Sequence, residues 1–323
     1  MKTTLRDIAE YSGFNVSTVS RALNDDKRIS DDTKEKILNV AKKLHYFGEK
    51  NKIILFLIAN PISSVRNDDF FSKVLEGILS CTKNFGYHCV VRTIEKNDNS
   101  LGKIFIENIS GIIIGGIPMP QNIINLIATS EIPVVQIGHY KGLEHIPSVS
   151  NDNFRGGYIA AKKIVERNYK KILVFSGPLN VETFKERFSG VKKYLEEIDR
   201  IKDLEIIECE SFDWNDGYEE AKKIVSSINQ KTAIFCLTDW LAKGVIKALK
   251  EENFEIPQDI GLMGFGNLPF SEHIDPSLTT VTLNPYLLGV FSITVVNEII
   301  NKSNNVNTEK ILVEPGIIER KSI

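Results

Sequence analysis

The chain has 323 residues, of which 42% are hydrophobic, 25% charged and 9% aromatic, a composition that excludes a disordered or fibrous protein. Forty basic against forty-two acidic side chains leave a net charge of -2, so the whole-molecule field does not draw in nucleic acid or an anionic membrane, and a polyanion has to be met locally. The longest apolar runs, 53–59 and 111–117, fall well short of the roughly 18 residues of a membrane helix. Charges follow the first methionine at once with no apolar leader, which points to the cytoplasm. Cys81, Cys89, Cys209 and Cys236 lie far apart with no C-x-x-C pair, which argues against a metal site and against a disulfide framework.

The first fifty residues differ from the rest. They hold ten Lys/Arg against eight Asp/Glu, a net +2 that leaves -4 on the remainder. Leu5, Ile8, Ala9 and Ser12 are spaced i, i+3, i+4, i+7 behind Thr4, a candidate N-cap, and Gly13 stops that helix. A second short helix starts after Asn15 and buries Val19, Ala22 and Leu23. Its other side carries Ser17, Ser20, Arg21 and Asn24, a stripe of short hydrogen-bonding side chains around one arginine and without an acid. A third helix follows Ser30, with Asp31 and Asp32 suiting the dipole of its first turn and Ile37, Val40, Ala41 and Leu44 forming its apolar face. Three short helices with a tight turn between the first two describe a helix-turn-helix unit.

From residue 53 onward β-rich runs alternate with amphipathic stretches. Strands are expected at 53–58, 88–93, 111–114, 133–137, 171–175, 205–208, 233–237 and 260–264. Strand–helix alternation means parallel sheets, and eight or more units exceed one open sheet. The expected fold class is therefore α/β: a three-helix head, then a body of two doubly wound lobes with a ligand cleft between them.

The segment 4–24, TLRDIAEYSGFNVSTVSRALN, resembles the head of the lactose/galactose repressor family of bacterial transcription factors. The similarity continues through 29–37 and Tyr46, and resumes at 132–135, 147–153, 176–178, 186–190, Thr238–Asp239, Gly264–Phe265 and 276–281. It implies a body like a periplasmic sugar-binding protein, with two lobes joined by three crossovers near 153, 283 and 313. The implied division is a DNA-binding head over 1–46, a linker over 47–52, and an effector-binding and dimerisation domain over 53–323. Within that domain the N-lobe takes about 53–153 and 284–313, and the C-lobe about 154–283 and 314–323.

At the start of a recognition helix, Val16, Ser17 and Arg21 are placed to enter the major groove, where an arginine can donate two parallel bonds to a guanine. Thr4, Thr18, Ser20 and Asn24 are uncharged and suit phosphate oxygens, which fix register without reading sequence. One departure stands out. The family usually carries a hinge helix after the third helix, with a leucine that wedges into the minor groove. Here only Phe47-Gly-Glu-Lys-Asn-Lys52 precede the first strand, too short and glycine-broken for a stable helix. An operator less kinked at its centre is expected, with Lys50 and Lys52 on the backbone.

For the effector, the resemblance puts Arg187 at the family's ligand arginine and Trp214 at a pocket wall, while Asp152 and Asn153 fall at a crossover. Asp239 follows a strand end, and Phe71 closes the opposite side. Trp214 as plain core, Asp239 as a helix cap and Asp152 as a turn residue are the structural alternatives. Where the family commonly has an acid after Gly264–Phe265, this chain has Gly266–Asn267, a weaker acceptor set suited to a sugar phosphate or a smaller polyol.

Phosphate-loop, zinc-protease and nucleophile-elbow motifs are absent and the five histidines stand isolated, so no catalytic residue, metal or cofactor is expected. The resulting reading is a homodimeric repressor of a carbohydrate operon, bound to a pseudo-palindromic operator and controlled by a small sugar or sugar phosphate. A regulator answering to a partner protein or a non-sugar metabolite is the alternative. A free-standing binding protein with a vestigial head would need an export signal.

Overall fold

The computed structural model describes residues 3–23, 26, 28–44, 46, 52–59, 69–94, 109–116, 119–228, 231–301 and 310–323. Asn24, Lys50 and most of the 47–52 linker lie outside the described residues.

The head forms as its caps dictate. Helix α1 (Leu5–Ser12) opens on a capping box, in which the Thr4 hydroxyl accepts the Asp7 N–H at 3.4 Å and the Asp7 carboxylate accepts the Thr4 N–H at 2.6 Å. It closes on Gly13 in the left-handed region (φ 74°), whose N–H reaches the carbonyl of Ala9. The Asn15 side chain caps α2 (Val16–Leu23) by accepting the Thr18 N–H at 2.7 Å, and Ser30 does the same for α3 (Asp31–Lys43) through Thr33. The three helices close on a small core of Ile8, Val19, Ala22, Ile37 and Ala41.

The body is two six-stranded sheets. The N-lobe sheet runs in the order β11-β5-β4-β3-β1-β2, from β1 (Ile53–Ala59), β2 (His88–Ile94), β3 (Ile109–Gly115), β4 (Val134–Ile137), β5 (Ser148–Asn151) and β11 (Lys310–Val313), all parallel. Helices α4 (Asp69–Phe85), α5 (Gln121–Ala128) and α10 (Pro285–Asn301) belong to this lobe. The C-lobe sheet runs β12-β10-β9-β8-β6-β7, from β6 (Lys171–Ser176), β7 (Leu204–Glu208), β8 (Thr232–Cys236), β9 (Ile260–Gly266), β10 (Thr279–Thr282) and β12 (Gly316–Ile318), with β12 antiparallel to β10. Its helices are α6 (Asn153–Glu166), α7 (Glu182–Glu197), α8 (Trp214–Ile224) and α9 (Asp239–Glu251). Strands β5, β10, β11 and β12 go beyond the apolar runs. They are three or four residues long, and β5 and β10 are rich in serine and threonine held by ladder pairing in the buried middle of the molecule.

The chain passes between lobes three times, at 151–153, 282–285 and 313–316, and the crossovers are bonded to one another. The Asp152 N–H donates to Val313 O at 2.9 Å, Asn284 N–H to the Asn151 side chain at 3.3 Å, and Gly316 N–H to the Thr282 hydroxyl at 2.9 Å. The three segments therefore form one cross-braced hinge.

Helix α6 begins at that hinge and packs against α7 at very close range. A Cβ on Gly157 would stand 1.9 Å from the Arg187 carbonyl oxygen, and one on Gly190 would stand 2.0 Å from that of Phe154. The reciprocal glycines let the two backbones touch, and that contact fixes Asn153 relative to Arg187. Gly157→Ala must push the helices apart, and should cost about 1–3 kcal/mol of stability, measured as a lower urea midpoint at unchanged slope.

Candidate functional site

Two surfaces bring together the polar residues singled out above. On the head, Val16 is 41% exposed and stands beside the exposed Ser17 and Arg21 at the free side of α2. The exposed Arg21 guanidinium acts on Asp26, whose carboxyl is held low chiefly by Arg28, only through its charge, and its position on the free side of α2 leaves it open to an incoming acceptor. Ser17 donates to the Asn15 side chain at 2.7 Å, and the Thr4 hydroxyl donates to Asp7 at 2.8 Å within the capping box. Thr18 and Ser20 are half-buried along the same helix. Lys52 sits against the Tyr87 ring at 5.9 Å.

The second surface is a cleft of about 200 Å³ between the lobes, at the carboxyl ends of both sheets, where ligands enter doubly wound folds. Its walls are aromatic. Phe70 and Phe71 close the N-lobe side, and Phe184, Phe212, Trp240 and Phe265 line the C-lobe side. Its polar lining includes His139, Tyr140, Ser150, Asn151, Asn153, Glu182, Thr183, Thr238 and Arg187. This is the pattern of a site for a small ring-bearing ligand with hydrogen-bonding edges.

Arg187 is the centre of the polar wall. It is 7% exposed, its Nε donates to the side-chain amide oxygen Oδ1 of Asn153 at 3.0 Å, and its Nη1 donates to the main-chain carbonyl of Leu237 at 2.5 Å. Its guanidinium carbon lies over the Phe265 ring, 3.8 Å from the centroid. Burial pushes its pKa down to about 9, with Glu186 and Asp239 acting in the opposite direction, so it remains a cation at neutral pH. Asn153 is the bridge, since its amide nitrogen also donates to Glu186 at 3.0 Å.

Of the other residues expected at the effector site, Phe71 lines the cleft, but four stand elsewhere. Trp214 opens α8 after the N-cap Asp213, and the helix carries its ring onto the outer groove shared with Lys243, Lys247 and Lys250. Phe212, two residues earlier and ahead of the cap, faces the cleft instead. Asp239 is fully buried and accepts from Leu268 N–H, Ser271 and Thr280 at 2.8, 2.7 and 2.6 Å. It ties α9 to β10 and to the loop after β9. Burial raises its pKa, and those bonds pull the other way. Asp152 caps α6 by accepting the Arg155 N–H at 2.8 Å, and Asn267 accepts from Arg320 at 2.8 Å. Trp240 and His139, which the sequence left unmarked, are brought to the cleft by α9 and by the turn after β4.

Comparison with known proteins gives the same architecture. The family model for bacterial regulatory proteins of the lacI family matches residues 4–48, and that for a periplasmic binding protein-like domain matches 161–323. The chain belongs to the LacI family. The transcriptional repressor PurR of Histophilus somni strain 129Pt is 27% identical over 331 residues, covering 99% of this chain and 98% of that protein. Among solved structures, the CelR–cellobiose complex superposes with a TM-score of 0.75 at 19% identity over 99% of this chain and 100% of the other. The lac repressor dimer bound to operator and the anti-inducer ONPF gives 0.72 at 21% identity, over 100% and 99%. This LacI-family chain is thus a DNA-binding, ligand-binding transcriptional repressor and not an enzyme. Among its described residues no helix is long and apolar enough to cross a membrane.

Two outcomes follow from this placement. A compound entering the cleft should alter tryptophan emission in the Trp214→Phe variant and leave it unchanged in Trp240→Phe. Asp239→Ala leaves two buried hydroxyls and the part-buried Leu268 N–H without their acceptor and should cost on the order of 3 kcal/mol of stability in thermal or urea unfolding.

Proposed function

We propose that this repressor binds a pseudo-palindromic operator as a homodimer and that a small sugar-like molecule, held in the interlobe cleft, controls a carbohydrate operon. The proposed division of labour is a head over 1–46, a linker over 47–52 and a body over 53–323. Val16, Ser17 and Arg21 read base edges, and Thr4, Thr18, Ser20 and Asn24 hold phosphates. In the cleft, Arg187 and Asn153 meet hydroxyl edges while Phe71, Phe212 and Trp240 take the apolar ring faces. Asp152, Asp239 and Asn267 support that site through the hinge and the loop after β9.

The observation that carries this reading is the pairing of an exposed Arg21 on a capped recognition helix with an aromatic cleft centred on a buried arginine. One short recognition helix touches too few bases for secure specificity, which favours two heads on a two-fold site. The dimeric lac repressor on its operator and the cellobiose held by CelR are consistent with it. Ligand binding that favours one lobe arrangement over another changes the spacing of the heads by population shift.

Selection from random duplexes should yield a two-fold symmetric site. Arg21→Ala should weaken that site by about 1–3 kcal/mol while sparing non-specific binding, and Thr18→Ala should weaken both alike in fluorescence anisotropy. A wild-type chain that enriches no sequence overturns the proposal. The short linker further implies a weak central bend, so a circular-permutation gel with a sharp central kink would contradict that part.

A further inference from the structure

The cleft holds a cation whose donors are only partly used. The Nε of Arg187 donates to Asn153 and its Nη1 to Leu237, whereas Nη2 meets no acceptor among the described residues. No carboxylate is bonded to it. Glu186 and Asp239 act on it through space, but Oε2 of Glu186 accepts from Asn153 and its Oε1 lies 4.0 Å from Nε2 of His139 across the cleft. The oxygens of Asp239 are filled by Leu268, Ser271 and Thr280. A guanidinium that is 7% exposed and has no anion bonded to it is electrostatically incomplete, because a counter-charge is felt most strongly away from water.

The start of α7 adds donors beside it. The helix opens at Glu182 on the N-cap Val181, whose side chain has no acceptor, and the main-chain N–H groups of Glu182 and Thr183 make no hydrogen bond among the described residues. Val181, Glu182, Thr183 and Arg187 all line the cleft. The neighbouring helices α6 and α9 are instead capped by Asp152 and Thr238. The uncapped positive end of α7 and the spare edge of Arg187 therefore open on one cavity, an arrangement that receives an anionic oxygen group.

Acceptors in the same cavity are engaged. Oδ1 of Asn153 is taken by Arg187, Oδ1 of Asn151 by the Asn284 N–H, and the Thr238 hydroxyl by the Leu241 N–H. A neutral sugar brings hydroxyl donors to a wall that itself mostly donates. The amount of charge is limited as well. No lysine lines the cleft among the described residues, and Glu182 lines it while Glu186 stands near the guanidinium. A doubly charged phosphate is repelled by both acids, whereas a carboxylate carries a single charge and matches the planar guanidinium fork.

We infer that the effector is a sugar acid, a ring bearing a carboxylate, with the carboxylate held by Nη2 of Arg187 and the first-turn N–H groups of α7 while Phe71 and Phe212 cover the ring. The inference rests on the proposed function, which places a sugar-like effector in this cleft.

The test is titration calorimetry of the full chain, without DNA, against matched probes: glucose, glucuronate and glucose 6-phosphate, and the corresponding galactose and mannose sets. In at least one set the uronate should bind about tenfold or more tightly than both its neutral parent and its phosphate. Arg187→Lys, which keeps the cation and loses the fork, should weaken that uronate by about tenfold and move the parent sugar much less. Glu182→Gln, at an exposed position, should strengthen the uronate by about twofold, a change opposite in sign that damage to the cleft does not produce. Each variant is checked for native circular dichroism. A parent sugar or a phosphate that binds as tightly as its uronate overturns the inference and leaves the proposed function standing, as does a uronate unaffected by Arg187→Lys. Should Arg187→Lys fail to fold, a uronate that Glu182→Gln does not strengthen overturns it. Binding by no member of the panel overturns the inference together with the sugar-like effector.

Discussion

The C-lobe is organised around a buried cation. Removing a guanidinium from water is costly unless its donors are met by fixed acceptors, and Arg187 meets Asn153 at the hinge, a main-chain carbonyl just beyond β8, and the face of Phe265 on β9. Those partners come from three separate segments of chain. The arginine can take its place only when α6 and α7 touch, which their facing glycines allow, and when β8 and β9 are in register. The same arrangement exposes the remaining edge of this polar wall to the cleft. Stability of the lobe and preorganisation of the site are thus one requirement.

The hinge extends that requirement to both lobes. Asn151, Asp152 and Asn153 are consecutive, and each has a separate duty. Asn151 bonds the second crossover, Asp152 caps α6 and bonds the third, and Asn153 orients Arg187 and Glu186. A change in the cleft reaches the crossovers within one residue. In the proposed function this would be a short path from ligand to lobe angle.

Much of this was legible in the sequence, and the exceptions have physical causes. The head could be read because its signals are local: caps at Thr4, Asn15 and Ser30, a left-handed glycine at 13, and helical periodicity. The inner strands could be read because burial on both faces demands continuous apolar runs. Strands β5 and β10 could not, because Ser148–Asn151 and Thr279–Thr282 are polar segments whose stability comes from partners distant in sequence. Trp214 and Phe212 differ by two positions, and Asp213 as N-cap decides which ring meets the cleft. A helix start predicted one turn more finely would have separated them. Asp239 has the residue type of a ligand acceptor, yet its oxygens are filled by Leu268, Ser271 and Thr280, which only the tertiary fold brings near. His139 looked isolated because its partner is 47 positions away on another lobe.

The central claim is that the cleft around Arg187 is where a metabolite is sensed. A thermal-shift screen of the purified chain against sugars, sugar phosphates and polyols tests it most directly, because a ligand that binds only the folded state raises the midpoint by mass action. The account predicts a compound that stabilises the wild-type chain, with the shift abolished in Arg187→Ala while that variant still folds. A shift of equal size in Arg187→Ala would contradict it.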